Sequence, residues 1–338
     1  MATIRDVAAD AGVAASTVSY VLSGNKKLPQ ATVDRVLASV ARLGYRPSPA
    51  ARALALGRTN ILGMLAQVSP ETADADVDIF MRFVRAAMYA AEPRGYDVLV
   101  MGRGDDELRG DILADAIVVM DIRIVEPRVQ MLLDRGLSTV LIGVPDDRLG
   151  VSAVDLDFAE AARTMVRHLA GLGHRQIAVL APPTEPPGQA LAYRRRFRLA
   201  FYSECERLGV RGLFHPCGTE VADVQEWVAQ VRSTLPDLTG ILVMGVSSLV
   251  ALHEVIAAQG RSVPDDLSVV ALAPAEQFAV LHPGTTLVDL PGAAMVEWAV
   301  TRAIDELAGE PSGAVELLPA VLYERGSTGA PGRGLRRD

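Results

Sequence analysis

The side chains best suited to chemistry are basic residues that gather near the start of the chain. The 338 residues hold 33 Lys and Arg against 41 Asp and Glu, a net charge of −8. Residues 1–58 alone hold eight basic and three acidic residues, so this part has a net charge of +5 and the remainder −13. Lys and Arg neutralise backbone phosphates, so this distribution is typical of a basic nucleic-acid-binding part ahead of an acidic body. The basic residues are Arg5, Lys26, Lys27, Arg35, Arg42, Arg46, Arg52 and Arg58, and the acidic ones are Asp6, Asp10 and Asp34.

Two short helices are predicted to position this chemistry. Thr3 is placed to cap the first helix, with Asp6 in its first turn. Gly12 supplies a tight turn, and Ser16 or Thr17 opens a second helix. Two short helices joined by a glycine turn indicate a helix-turn-helix, whose second helix enters the DNA major groove. The alternative is an ordinary pair of core helices. The apolar stripes are Ile4, Val7, Ala8 and Ala11, then Val18, Val21 and Leu22.

A third helix and a linker are predicted next. The third helix spans about residues 31–43 and ends at Gly44. In the linker, Ser48 is placed as an N-cap and Pro49 at the first helical position. A linker helix of about two turns is too short to be stable alone. The apolar face of the third helix is Val33, Val36, Leu37, Val40 and Leu43.

These motifs resemble the DNA-binding headpiece of the LacI/GalR (lactose/galactose repressor) family. The resemblance rests on the residues from Thr3 to Leu22, on Arg35-Val36-Leu37 and on Leu43-Gly44-Tyr45-Arg46-Pro47. It continues at Ala51-Arg52-Ala53-Leu54 and reappears at residues 168–178 and 325–328, so it covers most of the chain. It implies a transcriptional regulator, most simply a repressor, that binds a palindromic double-stranded DNA operator as a homodimer.

The resemblance also implies two kinds of DNA contact. Ala15, Ser16 and Tyr20 would face base edges. The family commonly has arginine at position 20, which binds guanine in bidentate fashion, so Tyr20 predicts a different operator sequence. Leu54 falls where the family places a leucine that wedges between base pairs in the minor groove; the alternative is a plain linker residue. The residues expected to hold phosphates are Thr3, Thr17, Ser19, Asn25 and Lys26.

From residue 60 onward, short apolar runs alternate with amphipathic helices in two similar sets. Such alternation predicts parallel sheets covered by helices on both faces. The fold class is therefore α/β: an all-α helix-turn-helix head plus a two-lobe core with parallel sheets. The family has such a core, of the type I periplasmic-binding-protein kind. The expected strands are 61–68, 97–101, 116–120 and 139–143, then 177–180, 240–244, 267–272 and 285–290, and the expected helices are 79–91, 125–135, 159–172, 191–208, 221–235 and 249–259.

Domain boundaries follow from these patterns and from the resemblance. The head spans residues 1–46 and the hinge helix or linker spans residues 47–58. The first lobe is expected to comprise 59–157 and 291–312, and the second 158–290 and 313–328. Residues 329–338 form a flexible Gly-, Pro- and Arg-rich tail.

A small-molecule effector would bind outside the carboxyl ends of the strands, in the crevice between the lobes. The carboxylates that grip sugars in relatives have no counterpart at Gly245-Val246 or at Leu272-Ala273-Pro274. Arg196, then Arg194, are the first candidates for an inward-facing arginine; alternatively, all four arginines of residues 194–198 coat an exposed helix face. Ser69 and Asp121, each just after a strand, are further candidates, with a loop role as the alternative. The effector could be carbohydrate-like, less polar, anionic, or absent.

Other classes of function find little support. The longest apolar run is too short for a membrane span, which needs roughly 18 or more residues. The chain opens on an amphipathic helix rather than a signal peptide, so a cytoplasmic location is expected. Cys205 and Cys217 lack metal or redox spacing, and no catalytic triad, dinucleotide fingerprint, cofactor or metal pattern is found. An exported ligand-binding protein or enzyme with an incidental head, and a DNA binder without ligand response, are the two rival interpretations.

Overall fold

The computed structural model describes residues 2–23, 28–45, 57–66, 74–102, 108, 110, 112–183, 186, 188–309 and 312–332. The chain divides into two compact units. The first comprises Met1–Ile61 and Leu113–Asp115, and the second comprises Leu62–Ile112 and Ala116–Asp338. The described residues of the first unit form three helices, and those of the second form two mainly parallel sheets flanked by helices. The α/β fold class with an all-α head is thereby confirmed.

The head consists of α1 (Ile4–Ala11), α2 (Ala15–Ser23) and α3 (Gln30–Leu43). Its core is formed by Val7, Val18 and Val36, each with no exposed surface. Three helices of this size bury little apolar surface, so each of these valines matters to the stability of the head. Leu37, predicted on the apolar face of α3, is instead 48% exposed, because Ser39 turns inward at 1% exposure.

The first lobe is a six-stranded sheet in the order β11-β5-β4-β3-β1-β2. Helices α4 (Asp74–Ala91) and α11 (Gly292–Asp305) pack together on it, and α5 (Pro127–Leu133) follows β3. The two helices approach closely, since a Cβ on Gly292 would lie 2.5 Å from the Phe83 ring. The strands are β1 (Ile61–Leu65), β2 (Asp97–Met101), β3 (Ala116–Val119), β4 (Ser138–Ile142), β5 (Ser152–Leu156) and β11 (Val315–Leu318).

The second lobe is a six-stranded sheet in the order β12-β10-β9-β8-β6-β7. Its pairings are parallel except that of β10 with β12, which is antiparallel. The strands are β6 (Gln176–Ala181), β7 (Arg211–Pro216), β8 (Gly240–Met244), β9 (Ser268–Ala273), β10 (Thr286–Asp289) and β12 (Leu322–Tyr323). The helices are α6 (Phe158–Gly171), α7 (Ala192–Leu208), α8 (Val221–Thr234), α9 (Val246–Ala258) and α10 (Ala275–Leu281).

A buried carboxylate joins two of these helices. Glu204 of α7 is 5% exposed and accepts hydrogen bonds from Arg167 of α6 at 2.7 Å and from Arg207 at 2.6 and 2.9 Å. The hydrogen bonds from Arg207 and Arg167 hold the pKa of Glu204 at about 2, well below its ordinary value. The pairing of α6 with α7 is therefore stabilised by charge as well as by apolar contacts.

The chain crosses between the lobes three times, after β5, after β10 and after β11. As expected, the helix after residue 291 joins the first lobe and β12 joins the second. The expected boundary at residues 312 and 313 would place β11 in the second lobe, and this is wrong. Val315–Leu318 pairs in parallel with Ala153–Leu156 of the first sheet. The last crossing therefore lies after Leu318.

Four strands were not among those expected: β5 and β7, and the late strands β11 and β12. In β5 the polar Ser152 and Asp155 interrupt the apolar run, although all five residues of the strand are buried. Strand β7 is a sheet edge whose four central residues are only half-buried, so it has no continuous apolar run. The burial of β5 and the partial exposure of β7 follow from their positions in the sheet, which the order of residues along the chain does not reveal.

Candidate nucleic-acid interface and ligand cleft

The first helix of the head is fixed by a reciprocal cap. The N–H of Asp6 donates to Thr3 Oγ1 at 3.4 Å, and the N–H of Thr3 donates to Asp6 Oδ2 at 2.7 Å. The Thr3 hydroxyl also donates to Asp6 Oδ2, at 2.9 Å, and the two hydrogen bonds from the Thr3 N–H and hydroxyl hold the pKa of Asp6 below its ordinary value. Gly12 ends the helix at a φ of 65°, a left-handed conformation that favours glycine. The cap and the glycine turn predicted from the sequence are present, and together they set the direction in which α2 begins.

Helix α2 presents one face to solvent and buries the other. Val18 has no exposed surface, whereas Ser16 is exposed and Tyr20 is 43% exposed. Residues four positions apart lie on the same helix face, so Ser16 and Tyr20 are neighbours on the outer surface. Ala15, Thr17 and Ser19 are half-buried beside them. The helix begins at Ala15, one or two residues before the expected opening at Ser16 or Thr17.

The charges of the head are arranged around this helix pair. Arg5 and Arg35 are exposed, while Arg42 of α3 forms an ion pair with Asp10 of α1. Hydrogen bonds from Arg42 and Ser39 hold the pKa of Asp10 below its ordinary value. The ion pair cancels one charge of each sign, so four of the five net positive charges of residues 1–58 come from residues outside the described ranges, Lys26, Lys27, Arg46 and Arg52.

Several predicted site residues lie outside the described residues. They include two of the phosphate-binding candidates, the wedge residue and one effector candidate. The hinge expected at 47–58 is described only at residues 57 and 58. The four site candidates outside the described residues are Asn25, Lys26, Leu54 and Ser69.

The two lobes meet where β3 and β6 end. The N–H of Ile124 donates to the Ala190 carbonyl at 2.9 Å, and the N–H of Ala192 donates to the Ile122 carbonyl at 2.9 Å. Between these bonds, Arg123 and Leu191 form an antiparallel bridge. We call residues 122–124 and 190–192 the inter-lobe bridge. It closes this side of the crevice with main-chain hydrogen bonds.

The arginines of α7 lie beside the inter-lobe bridge and have protein partners. Arg194 is 8% exposed and donates to the carbonyls of Pro182 and Pro183. Arg196 forms an ion pair with Asp155, whose carboxyl is 5% exposed. Burial raises the pKa of Asp155, and the Arg196 guanidinium opposes that shift.

Arg195 reaches across to the first lobe, where it forms an ion pair with Asp146. Arg198 is exposed. The four arginines therefore do not coat one exposed face, because three of them bind carbonyls or carboxylates of the protein.

The remaining effector candidate, Asp121, contacts a buried ion pair through its main chain. Asp121 has a φ of 51°, and its carbonyl accepts a hydrogen bond from Arg128 at 2.9 Å. Arg128 and Glu126 both have no exposed side-chain surface, and they are joined by two hydrogen bonds of 2.6 Å. The backbone leading into the inter-lobe bridge is thus held by a buried ion pair that sequence patterns did not indicate.

A cavity of about 640 Å³ opens between the two lobes, on the side formed by α4 and α11. Its polar walls include Arg82, Arg85, Glu276 and Asp289, and Phe83 contributes apolar surface. Arg194, Arg196 and Asp121 do not line it. Asp289 could have been found from the sequence, because it lies at the carboxyl end of the strand expected at residues 285–290.

Asp289 is anchored by its neighbours. Its Oδ1 accepts the N–H of Ala275 at 2.7 Å, and burial raises the pKa of its carboxyl. A group that hydrogen-bonds this carboxylate from within the cavity would offset part of that burial cost. The chemistry of this wall suits a hydroxyl or amino group.

Several apolar side chains of the first lobe are exposed, on α4 and on the edge strand β2 beside it. Met81, Met88 and Tyr89 of α4 are 52, 56 and 69% exposed, and Leu99 and Val100 of the edge strand β2 are 37 and 41% exposed. We call these five residues the α4–β2 patch. Exposed apolar groups gathered beside a sheet edge are typical of a protein–protein interface.

Neither a membrane span nor a metal site was found in the described part of the chain. No described helix is long and apolar enough to cross a bilayer. Among the described residues, no three His, Cys, Asp or Glu side chains gather as metal ligands.

Comparisons with known proteins agree along the chain. Residues 3–48 match the family model "Bacterial regulatory proteins, lacI family", and residues 166–328 match the "Periplasmic binding protein-like domain". The HTH-type transcriptional regulator CelR of Thermobifida fusca is 28% identical over 333 residues, which cover 94% of this chain and 95% of CelR. The HTH-type transcriptional repressor PurR of Salmonella paratyphi B is 27% identical, with 100% of both chains covered.

Solved structures show the same fold. The lac repressor dimer bound to operator and the anti-inducer ONPF has a TM-score of 0.81 and 21% sequence identity. The similarity covers 97% of this chain and 99% of that one.

Proposed function

We propose that this chain, which belongs to the lacI family of bacterial regulatory proteins, binds an inverted-repeat DNA site as a homodimer and represses transcription from it. The observation that carries the proposal is the outward face of α2, where Ser16 and Tyr20 are exposed while Val18 anchors the helix. In a helix-turn-helix this face reads base edges in the major groove. DNA binding also places the protein in the cytoplasm.

The base contacts are assigned to Ala15, Ser16 and Tyr20, and the phosphate contacts to Thr3, Thr17 and Ser19. A tyrosine has one hydroxyl, whereas an arginine can donate two parallel hydrogen bonds to guanine. We therefore expect the preferred operator to differ at the base facing Tyr20 from operators read by an arginine. Asn25, Lys26 and Leu54 keep their proposed roles in phosphate binding and minor-groove wedging.

The α4–β2 patch supports the homodimer. A single small head would bind DNA weakly, whereas two linked heads on a palindrome act at high effective concentration. A two-fold pairing of the patch would bury the exposed Met81 and Met88 of α4 against the same surface of a second copy.

The cavity lined by Asp289 supports an effector site. The carboxylates of Glu276 and Asp289 would accept hydrogen bonds from sugar hydroxyls, and the guanidinium groups of Arg82 and Arg85 would donate hydrogen bonds to them. We therefore favour a carbohydrate, whose hydroxyls both donate and accept, over an anionic metabolite. Arg194 and Arg196 would act indirectly, by shaping the cleft, because each already binds protein oxygens.

A second candidate is a DNA binder without ligand response. It is favoured by the ion pair that Arg195 forms with Asp146 and by the inter-lobe bridge, because both join the lobes through the protein's own groups. A ligand changes DNA affinity only if it binds the open and closed arrangements differently.

The test is selection of binding sites from randomised inverted repeats. Tyr20→Arg and Ser16→Ala should change which sequence is selected, whereas Lys26→Ala should weaken binding uniformly and reduce its salt dependence. Tyr323→Arg is a matched control, because Tyr323 is also 43% exposed but lies in the second lobe. If no repeat is bound with salt-sensitive affinity, or if both head variants keep the same preference, the proposal is wrong.

A thermal-shift screen separates the two candidates for ligand response. A sugar that raises the melting temperature, loses that effect in Asp289→Asn, and changes operator affinity supports the effector site. No response across sugars, glycosides and sugar phosphates would support the DNA binder without ligand response.

A further inference from the structure

Asp115 lies immediately before β3 and binds the segment that leads from the linker into β1. Its Oδ1 accepts the main-chain N–H of Thr59 at 2.7 Å and the Thr59 hydroxyl at 2.8 Å. Its Oδ2 accepts the N–H of Asn60 at 2.8 Å. One half-buried carboxylate thus binds two consecutive residues through three donors. An ionised carboxylate accepts at both oxygens, which an amide does not reproduce.

The backbone of the bound segment is constrained as well. Asn60 has a φ of 54°, a left-handed conformation that residues other than glycine rarely adopt and that the surroundings must maintain. The N–H of Ile61 donates to Thr59 Oγ1 at 3.1 Å, and the Ile61 carbonyl accepts the N–H of Asp115 at 2.8 Å. The path of the chain from Thr59 to Ile61 is therefore set largely by Asp115.

This position matters because Thr59 is the first residue after the linker proposed at 47–58. Leu113–Asp115 also belong to the same compact unit as Met1–Ile61, although they are more than fifty residues apart in the chain. If the end of a linker is anchored, it follows any displacement of its anchor. If it is released, the linker gains free residues, and the position of the head is less determined.

We propose that Asp115 is a positioning residue for DNA binding: it anchors the end of the linker to the start of β3, so that displacement of the first lobe displaces the head. The proposal rests on the proposed function for its DNA-binding part, whereas the anchor itself can be tested without DNA. Asp115 acts through Thr59 and Asn60 and need not touch DNA or effector.

The first experiment is limited trypsin digestion of the full chain, followed by mass spectrometry. Trypsin cleaves after arginine, and the Arg58–Thr59 bond adjoins the main-chain N–H that Asp115 holds. A protease needs several freely moving residues around the bond that it cuts. Asp115→Asn should raise the cleavage rate after Arg58 at least about tenfold, relative to cleavage after Arg52 in the same molecule.

The second experiment measures operator affinity of the same proteins by gel shift. Asp115→Asn should bind the inverted repeat selected by the unmodified protein about tenfold more weakly. Asp134→Asn is the matched control, because Asp134 also accepts a side-chain hydrogen bond in the first lobe, from Gln130 at 2.6 Å. The control should match the unmodified protein in both experiments.

The outcomes separate the two parts of the proposal. Unchanged cleavage after Arg58 overturns the anchor. Faster cleavage with unchanged operator affinity overturns the coupling but keeps the anchor. If the unmodified chain binds no DNA, the proposed function and the coupling fail together, and the anchor is still decided by the digestion. If Asp115→Asn does not fold, Thr59→Val replaces it, because this change removes the hydroxyl contacts alone and should give a smaller increase in cleavage.

Discussion

The buried pair of Glu126 and Arg128 offers a sharp test of how the first lobe is held together. We consider Glu126→Gln, which keeps the shape of the side chain and removes its charge. Glu126 accepts two hydrogen bonds of 2.6 Å from the Arg128 side chain and two from main-chain N–H groups, at 3.0 Å from Arg123 and 3.2 Å from Arg128. Both side chains have no exposed surface, so water cannot replace the lost partner.

The expected cost follows from that burial. Removing one member of a buried ion pair leaves an uncompensated charge and costs about 3–5 kcal/mol, whereas removing both charges is often close to neutral. Arg128→Met alone should therefore also cost about 3 kcal/mol. In the double variant Glu126→Gln/Arg128→Met, the carbonyls of Met120 and Asp121 lose a donor, so a residual cost of about 1–2 kcal/mol is expected.

The assay is urea unfolding followed by tryptophan fluorescence. The chain has two tryptophans, Trp227 in the second lobe and Trp298 in the first. In a Trp227→Phe background, Trp298 reports the first lobe, and the unfolding free energies of the two single variants and the double variant form a cycle. The reasoning is refuted if Glu126→Gln costs less than about 1 kcal/mol, or if the double variant is as unstable as the sum of the single ones.

Three further predictions concern the core. Gly292→Ala should lower the free energy of unfolding by about 1–3 kcal/mol, because the added Cβ would collide with the Phe83 ring of α4. Gly309→Ala, where the added Cβ meets open space, should leave that free energy almost unchanged, and thermal unfolding measures both variants. Burial raises the pKa of the Cys205 and Cys217 thiols to about 12. Ellman's reagent should therefore react with neither thiol in the native protein at pH 8 and with both in denaturant. A rapid reaction in the native protein would contradict their burial. The pKa of Glu204 is lowered to about 2 in the folded state, so its charge stabilises the fold above pH 4.5 and this contribution is lost as pH falls toward 2. The stability difference between the unmodified protein and Glu204→Gln, at most roughly 3 kcal/mol because solvent screens the arginine partners, should shrink over that pH range in urea titrations, and a constant difference would refute the assignment.

The head could be predicted closely from its sequence because its signals are local. The cap at Thr3, the turns at Gly12 and Gly44 and the helical spacing of apolar residues act within a few positions of one another. Most strands of the core were also located, because buried parallel strands are continuous apolar runs. Among the exceptions, β5 depends on polar partners and β7 is a sheet edge, and neither property is encoded in a run of neighbouring residues.

The ligand cleft was less predictable because its groups meet through distant parts of the chain. The arginines at 194–196 are adjacent in sequence, but Arg195 and Arg196 bind carboxylates that lie some forty to fifty positions earlier, at Asp146 and Asp155. The spacing of residues along a helix predicts the direction in which a side chain points, but it does not reveal which residue that side chain will bind. Asp289 follows a strand that the sequence did indicate, but the cavity that it lines also depends on α4 and α11, which belong to the other lobe.

The three crossings between the lobes have a consequence for synthesis on the ribosome. Strand β11 and helix α11 complete the first sheet, yet they are made after nearly the whole second sheet. The three-helix head can fold as soon as it emerges, whereas both lobes must wait for roughly the last fifty residues. A nascent chain stalled near residue 290 would expose the side of the first sheet that α11 covers, so premature termination there should produce aggregates rather than a separate, functional first lobe.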